Sequence, residues 1–125
     1  MSGQVSRGSA GEYQADERAG DSQGHTAGDN YIRDASRIIC ELYKHSPVYR
    51  IGGDEFAVYL QDSDYERRDE IMDELNLLVS ENAKNGSVII AAGMADYQPG
   101  DQQLHDVFDR ADQRMYERKK QLKQA

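Results

Sequence analysis

From Tyr31 onward the apolar residues recur at helical spacing. Tyr31, Ala35, Ile38, Ile39 and Leu42 share one face at 3.6 residues per turn, which predicts a helix running to about His45. Pro47 ends it, having no N–H to donate. Val48 to Ile51 then reads as a short strand, and Phe56, Val58 and Leu60 alternate as a second with one buried face, so the two form a β-hairpin. Asp62, Ser63 and Asp64 offer capping groups for a second helix carrying Ile71, Leu75, Leu78 and Val79, closed by Asn85-Gly86. Val88 to Ala92 is a continuous, β-branched apolar run, the mark of a strand covered on both faces. Gly93 marks a bulge or a close backbone approach, and Pro99-Gly100 precedes a last helix bearing Leu104, Val107, Phe108, Ala111 and Met115.

The order from Asn30 is therefore α-β-β-α-β-α, which predicts an α+β domain: a palm or ferredoxin-like sheet containing antiparallel strands, with helices packed on it. Such a sheet begins with a central strand, and here that strand would have to come from residues 1–29. That stretch contains no Leu, Ile or Phe and holds six of the eleven glycines, too little apolar surface to offset the entropy of ordering it. The first central strand is accordingly expected to be missing or degenerate. Residues 1–23 are read as a disordered or atypical leader, foreign to the domain, and residues 24–125 as one domain.

Charge and composition narrow the function. The formal charge of -8, from 23 acids against 15 bases, disfavours nucleic acid or an anionic membrane as partner while leaving small nucleotides carried by a metal open. A lone Cys40 forms no disulfide framework and suits a reducing compartment. With no apolar membrane span and no hydrophobic signal core, a soluble, cytoplasmic protein is expected.

The hairpin turn reads Gly52-Gly53-Asp54-Glu55. Paired glycines admit backbone angles closed to other residues and let a ligand approach the main chain, and adjacent carboxylates supply hard oxygen ligands for a divalent cation. A phosphate-bearing substrate brought by Mg²⁺ fits this turn; so does an ordinary hairpin whose acids face water.

Three blocks decide between these. Gly24-His25-Thr26-Ala27-Gly28-Asp29, Tyr49-Arg50-Ile51-Gly52-Gly53-Asp54-Glu55-Phe56 and Ala111-Asp112-Gln113-Arg114-Met115-Tyr116-Glu117-Arg118-Lys119 recur in one known order, and in them the chain resembles the GGDEF family of diguanylate cyclases, from about residue 21 to the C-terminus. The resemblance implies a nucleotidyltransferase of bacterial second-messenger signalling that condenses two GTP into cyclic di-GMP with release of pyrophosphate. It also implies two Mg²⁺ ions per site and a homodimer whose subunits each present one GTP to the other.

Residue by residue, the resemblance makes Glu55 a metal ligand and places Asp54 near the attacking hydroxyl, with Gly52 and Gly53 admitting the nucleotide. Asp29 matches the acid that accepts hydrogen bonds from the guanine edge, although a helix-cap role fits its position equally. Asp21 matches the acid of an Asn-Asp pair whose asparagine position is Gly20. Lys119 matches a phosphate-neutralising lysine, and Lys123, where arginine is usual, lies one turn on; both also complement a helix C-terminus. His25, His45 and His105 lack partners at metal spacing.

Upstream the resemblance fades. Counting back from Gly24, the family's first-strand metal aspartate falls on Glu12, but Gly11, Tyr13 and Gln14 beside it do not compose a strand core, and the match reads as coincidence in so acidic a chain. The family's inhibitory Arg-x-x-Asp positions are Tyr43 and Ser46, so product feedback there is not expected. Activation is expected to depend on another protein, an upstream sensor. The alternative to a cyclase is a catalytically inactive GTP-binding or protein-interaction module on the same fold.

Overall fold

The computed structural model describes residues 9–15 and 25–124, side chains excepted at 25–29, 123 and 124. The elements run β1 (Ser9–Ala15), α1 (His25–Leu42), β2 (Val48–Arg50), β3 (Glu55–Leu60), α2 (Asp62–Glu66), α3 (Arg68–Asn85), β4 (Ile90–Asp96) and α4 (Leu104–Gln124). The four strands form one sheet in the order β2-β3-β1-β4, with every neighbouring pair antiparallel. This is the expected α+β, ferredoxin-like arrangement.

Of the two expectations for the first central strand, missing or degenerate, the second holds: residues 9–15 form it, so this part of the stretch read as a leader belongs to the domain. β1 pairs along Ser9–Gln14 with Leu60–Glu55 of β3 and along Ser9–Ala15 with Asp96–Ile90 of β4. Its composition is degenerate, Ser-Ala-Gly-Glu-Tyr-Gln-Ala, yet six of the seven residues are buried. Pairing on both edges and cover on both faces override a poor local propensity. Gly11 contributes space: a Cβ there would lie 2.7 Å from Tyr13 Cε1, so the glycine lets the tyrosine ring lie along its own strand.

The two faces of the sheet carry different cores. Tyr13 and Ala15 of β1 join Phe56, Val58, Leu60 and Ile90 against Tyr31, Ile39 and Tyr43 from the α1 side and Ile71, Leu75 and Val79 of α3. On the opposite face Ala10 and Ala95 meet Val107 and Ala111 of α4. Side chains alternate along a strand, so Glu12 shares the α4 face with Ala10.

That face is built for close approach. A Cβ on Gly93 would collide with Met115 N and Ala111 O and lie 2.7 Å from Arg114 C, all backbone of α4. Gly93 thus marks the close approach that its place in the sequence suggested. Arg114 Nη1 donates to Met94 O at 2.6 Å, and Arg110 Nη2 donates to Asp96 O at 2.7 Å while its guanidinium pairs with Asp101 at 2.8 and 2.7 Å, stapling α4 to β4.

Three local details differ from the sequence reading. α1 begins at His25, so Asp29 lies inside the helix and not at its cap. The single helix expected after Leu60 is two, broken at Arg67 (φ -99°, ψ 19°), and its N-cap, Gln61, makes no side-chain capping bond. Asp64, expected as a capping group, is buried; it accepts hydrogen bonds from His45 N at 2.8 Å and Ser46 Oγ at 2.7 Å, tying the loop before β2 to α2. Gly86, at φ 72°, closes α3 as anticipated.

Candidate functional site

β1 and β3 bring two acids together, and α4 adds a third. Glu12, Glu55 and Asp112 each place a carboxylate oxygen within 4.8 Å of the others. Glu12 stands opposite Ala57 on one side and Gly93 on the other, two small residues that leave its side chain room toward α4. Glu55 stands opposite Gln14, two residues along β1 on the same face. Asp112 comes from the first half of α4, at the level where that helix presses on Gly93.

Glu12 is 7% exposed, and its carboxyl is pushed up to about 7. Burial is the main cause; the negative charges of Asp112 and Glu55, the hydrogen bond shared with Asp112 and the more distant Asp109 add to it. Oxygen donors from three elements converging on a buried acid are the donor set of a hard divalent cation such as Mg²⁺.

The hairpin turn places the other predicted residues. Ile51 N and Gly52 N donate to Glu55 O at 2.9 and 3.4 Å, closing the loop Gly52-Gly53-Asp54. Arg50 reaches over it, donating from Nε to Gly52 O at 3.3 Å and from Nη2 to Gly53 O at 2.6 Å. Neither glycine has positive φ, so the expectation of backbone angles closed to other residues is not met. What they supply is space: both are exposed, a Cβ on Gly53 would touch nothing within 4 Å, and one on Gly52 would make ordinary contact with Glu55.

Asp54 is half-buried, is not one of the three clustered acids and contacts β1. Its Oδ2 accepts from Gln14 Nε2 at 3.3 Å and its carbonyl accepts from Ala15 N at 2.9 Å. Lys119 is half-buried on α4, seven residues beyond Asp112, hence on the same side of the helix and about 10 Å along it. The backbones of Asp29 and Lys123 lie in α1 and α4, while their side chains, and Asp21 entirely, lie outside the described residues.

Two site residues were within reach of the sequence. Counting back from Gly24 reaches Glu12, but its neighbours Gly11, Tyr13 and Gln14 look unlike a strand. Asp112 sits in the third motif block without a role, and its signal was the seven-residue spacing to Lys119. Beside the acids, a groove of about 390 Å³ opens between the hairpin and the start of α4, lined among others by Tyr49, Ile51, Tyr59, Leu104 and Phe108. No helix among the described residues is long and apolar enough to cross a membrane.

Comparison with known proteins bears on the family and the fold. The family profile described as diguanylate cyclase, GGDEF domain, matches residues 17–125. A curated diguanylate cyclase of Vibrio cholerae serotype O1 is 24% identical over 104 residues, which is 80% of this chain and 32% of that protein; the chain spans about a third of this relative. The active GGEEF domain of a Vibrio cholerae diguanylate cyclase superposes with a TM-score of 0.78 at 22% identity, covering 92% of this chain and 78% of that one. The GGDEF domain of DgcB from Caulobacter crescentus, solved in complex with c-di-GMP, gives 0.73 at 24% identity, covering 91% and 72%. A GGDEF-only variant from Pseudomonas aeruginosa gives 0.67 at 27%, covering 93% and 73%.

Proposed function

Because the chain belongs to the diguanylate cyclase, GGDEF domain family, we propose that it condenses two GTP molecules into cyclic di-GMP and pyrophosphate, in a homodimer whose domains each present one GTP to the other. The observation that carries this reading is the meeting of Glu12 and Glu55 on neighbouring strands, one of them buried.

Glu12 and Glu55 would hold Mg²⁺. Bound there, Mg²⁺ supplies charge neutralisation of the phosphates and stabilisation of the attacking and leaving oxygens. Asp54, which accepts a hydrogen bond from Gln14 beside the turn, would take the proton of the attacking 3′-hydroxyl as that oxygen bonds to the α-phosphorus of the other GTP and the bond to the departing pyrophosphate breaks. The side-chain-free turn at Gly52 and Gly53 lets the nucleotide lie against the main chain. Lys119, for which no ion pair is found among the described residues, would neutralise the outer phosphates, with Lys123 one turn further on. Asp29 and Asp21 would read the guanine edge. A sensor protein would supply the input that brings two domains together.

Two substitutions favour a second reading. Gly20 stands where the family's guanine-reading asparagine would be, and Lys123 replaces an arginine that could grip phosphate with two parallel hydrogen bonds. A module that binds GTP without turning it over fits both. Incubating the protein with GTP and Mg²⁺ separates the readings: cyclic di-GMP formation that Glu55→Ala abolishes supports the cyclase, and GTP binding without product supports the module.

A further inference from the structure

We propose that Asp112 is a third carboxylate ligand of the divalent cation at Glu12 and Glu55, so that the site takes up the ion before any nucleotide arrives. This rests on the reading of the two glutamates as a metal site. It extends that site from the sheet to α4.

Two independent observations carry it. The first is geometric: the three carboxylates come from β1, β3 and α4 and lie within 4.8 Å of one another. The second concerns Glu12 alone, which is 7% exposed, is faced by the acids Asp112, Glu55 and Asp109, and pairs with no cationic side chain among the described residues. A buried carboxyl facing acids must hold a proton or a cation, and a cation that binds there displaces the proton. The neighbouring arginines of α4 do not provide the positive charge, since Arg110 is committed to Asp101 and Asp96 O, and Arg114 to Met94 O.

The consequence is an order of binding. Two carboxylates leave most of an octahedral shell to water and to the substrate's phosphates, and such a site fills together with its nucleotide. A third anionic oxygen, brought in on a helix seated against Gly93, raises affinity for the bare ion. Asp112 would also couple α4, which carries Lys119 two turns on, to occupancy of the metal site.

Titration of the nucleotide-free protein with Mn²⁺, followed by loss of the free-ion electron paramagnetic resonance signal, tests this. Wild type is expected to bind, Glu12→Gln to lose binding, and Asp112→Asn to lose about tenfold or more in affinity while unfolding cooperatively. Asp109→Asn, one turn away and outside the cluster, is expected to stay within about threefold of wild type, the scale of a loss of general negative charge. If Asp112→Asn binds Mn²⁺ like wild type while Glu12→Gln does not, the third ligand is refuted and the two-glutamate site stands. If wild type binds no Mn²⁺ with or without GTP, both fall. Asp112→Ala serves as a second variant: a loss matching that of Asp112→Asn supports direct ligation, and wild-type affinity overturns it.

Discussion

Glu12 and Gly93 are partners across β1 and β4, and the side chain absent from one admits the helix that closes over the other. Both are small features of sequence with large consequences, since the acid cluster exists only where α4 comes down to the sheet.

Gly93→Ala is therefore expected to damage the site from a distance. The added methyl meets the α4 backbone at Met115 and Ala111, which cannot yield as a side-chain tip can. Overpacking of this kind costs about 1–3 kcal/mol or more. Urea unfolding should show a lower midpoint, and metal binding should weaken with it; wild-type stability would contradict the packing described.

Gly53→Ala separates structure from function. The new methyl meets nothing within 4 Å and the glycine has no positive φ, so unfolding should change by less than about 0.5 kcal/mol. If nucleotide lies against this turn, GTP affinity should nevertheless fall about tenfold, measurable by calorimetry. Unchanged affinity would place the nucleotide elsewhere.

In metal-free protein, stability should depend on pH through Glu12. Its carboxyl rises from an ordinary 4.5 to about 7 on folding, so the folded state holds a proton that the unfolded state releases. The contribution is complete below about 4.5 and is lost as pH rises to about 7, amounting to at most about 3 kcal/mol at roughly 1.4 kcal/mol per unit. The groups facing it are Asp112, Glu55 and Asp109, all acids. Asp101, lowered to about 2 by its hydrogen bonds to Arg110 and Gln98, titrates below this window. Denaturation series in EDTA between pH 4.5 and 7.5 check the sign, and Glu12→Gln should flatten the curve. Stability that rises across this interval in wild type would contradict it.

The positions of the family's inhibitory arginine and aspartate are occupied by structural residues. Tyr43 is fully buried, its ring centroid 5.3 Å from that of Tyr13, and Ser46 Oγ bonds Asp64 and Gln61 N. Tyr43→Arg would bury an unpaired charge and should cost about 4 kcal/mol or more, seen as a collapse of the thermal transition. A stable, product-binding Tyr43→Arg protein would show that the position is not core.

Much of this was legible in the sequence because periodicity reports burial on one face. The helical stripe of Leu104, Val107, Ala111 and Met115, the alternation from Phe56 to Leu60 and the stop at Gly86 all appear where the pattern put them. β1 was not legible, for a physical reason. A central strand closely packed on one face by α4 and on the other by Tyr13 lying over Gly11 can be built of Ala, Gly and Ser, and its order comes from β3 and β4, about forty to eighty residues away. Glu12 was discounted with it. Asp64 was misassigned because a cap and a loop anchor use the same short acid, and Arg67 broke a helix that apolar spacing alone would run through.

The central claim is that the acid of this inconspicuous strand, together with Glu55, forms the catalytic metal site. Purified wild type and Glu12→Gln, matched for folding, should be incubated with GTP and Mg²⁺ and their cyclic di-GMP quantified. The account predicts product from wild type and a loss of about a hundredfold or more in the variant; equal rates from the two proteins would contradict it.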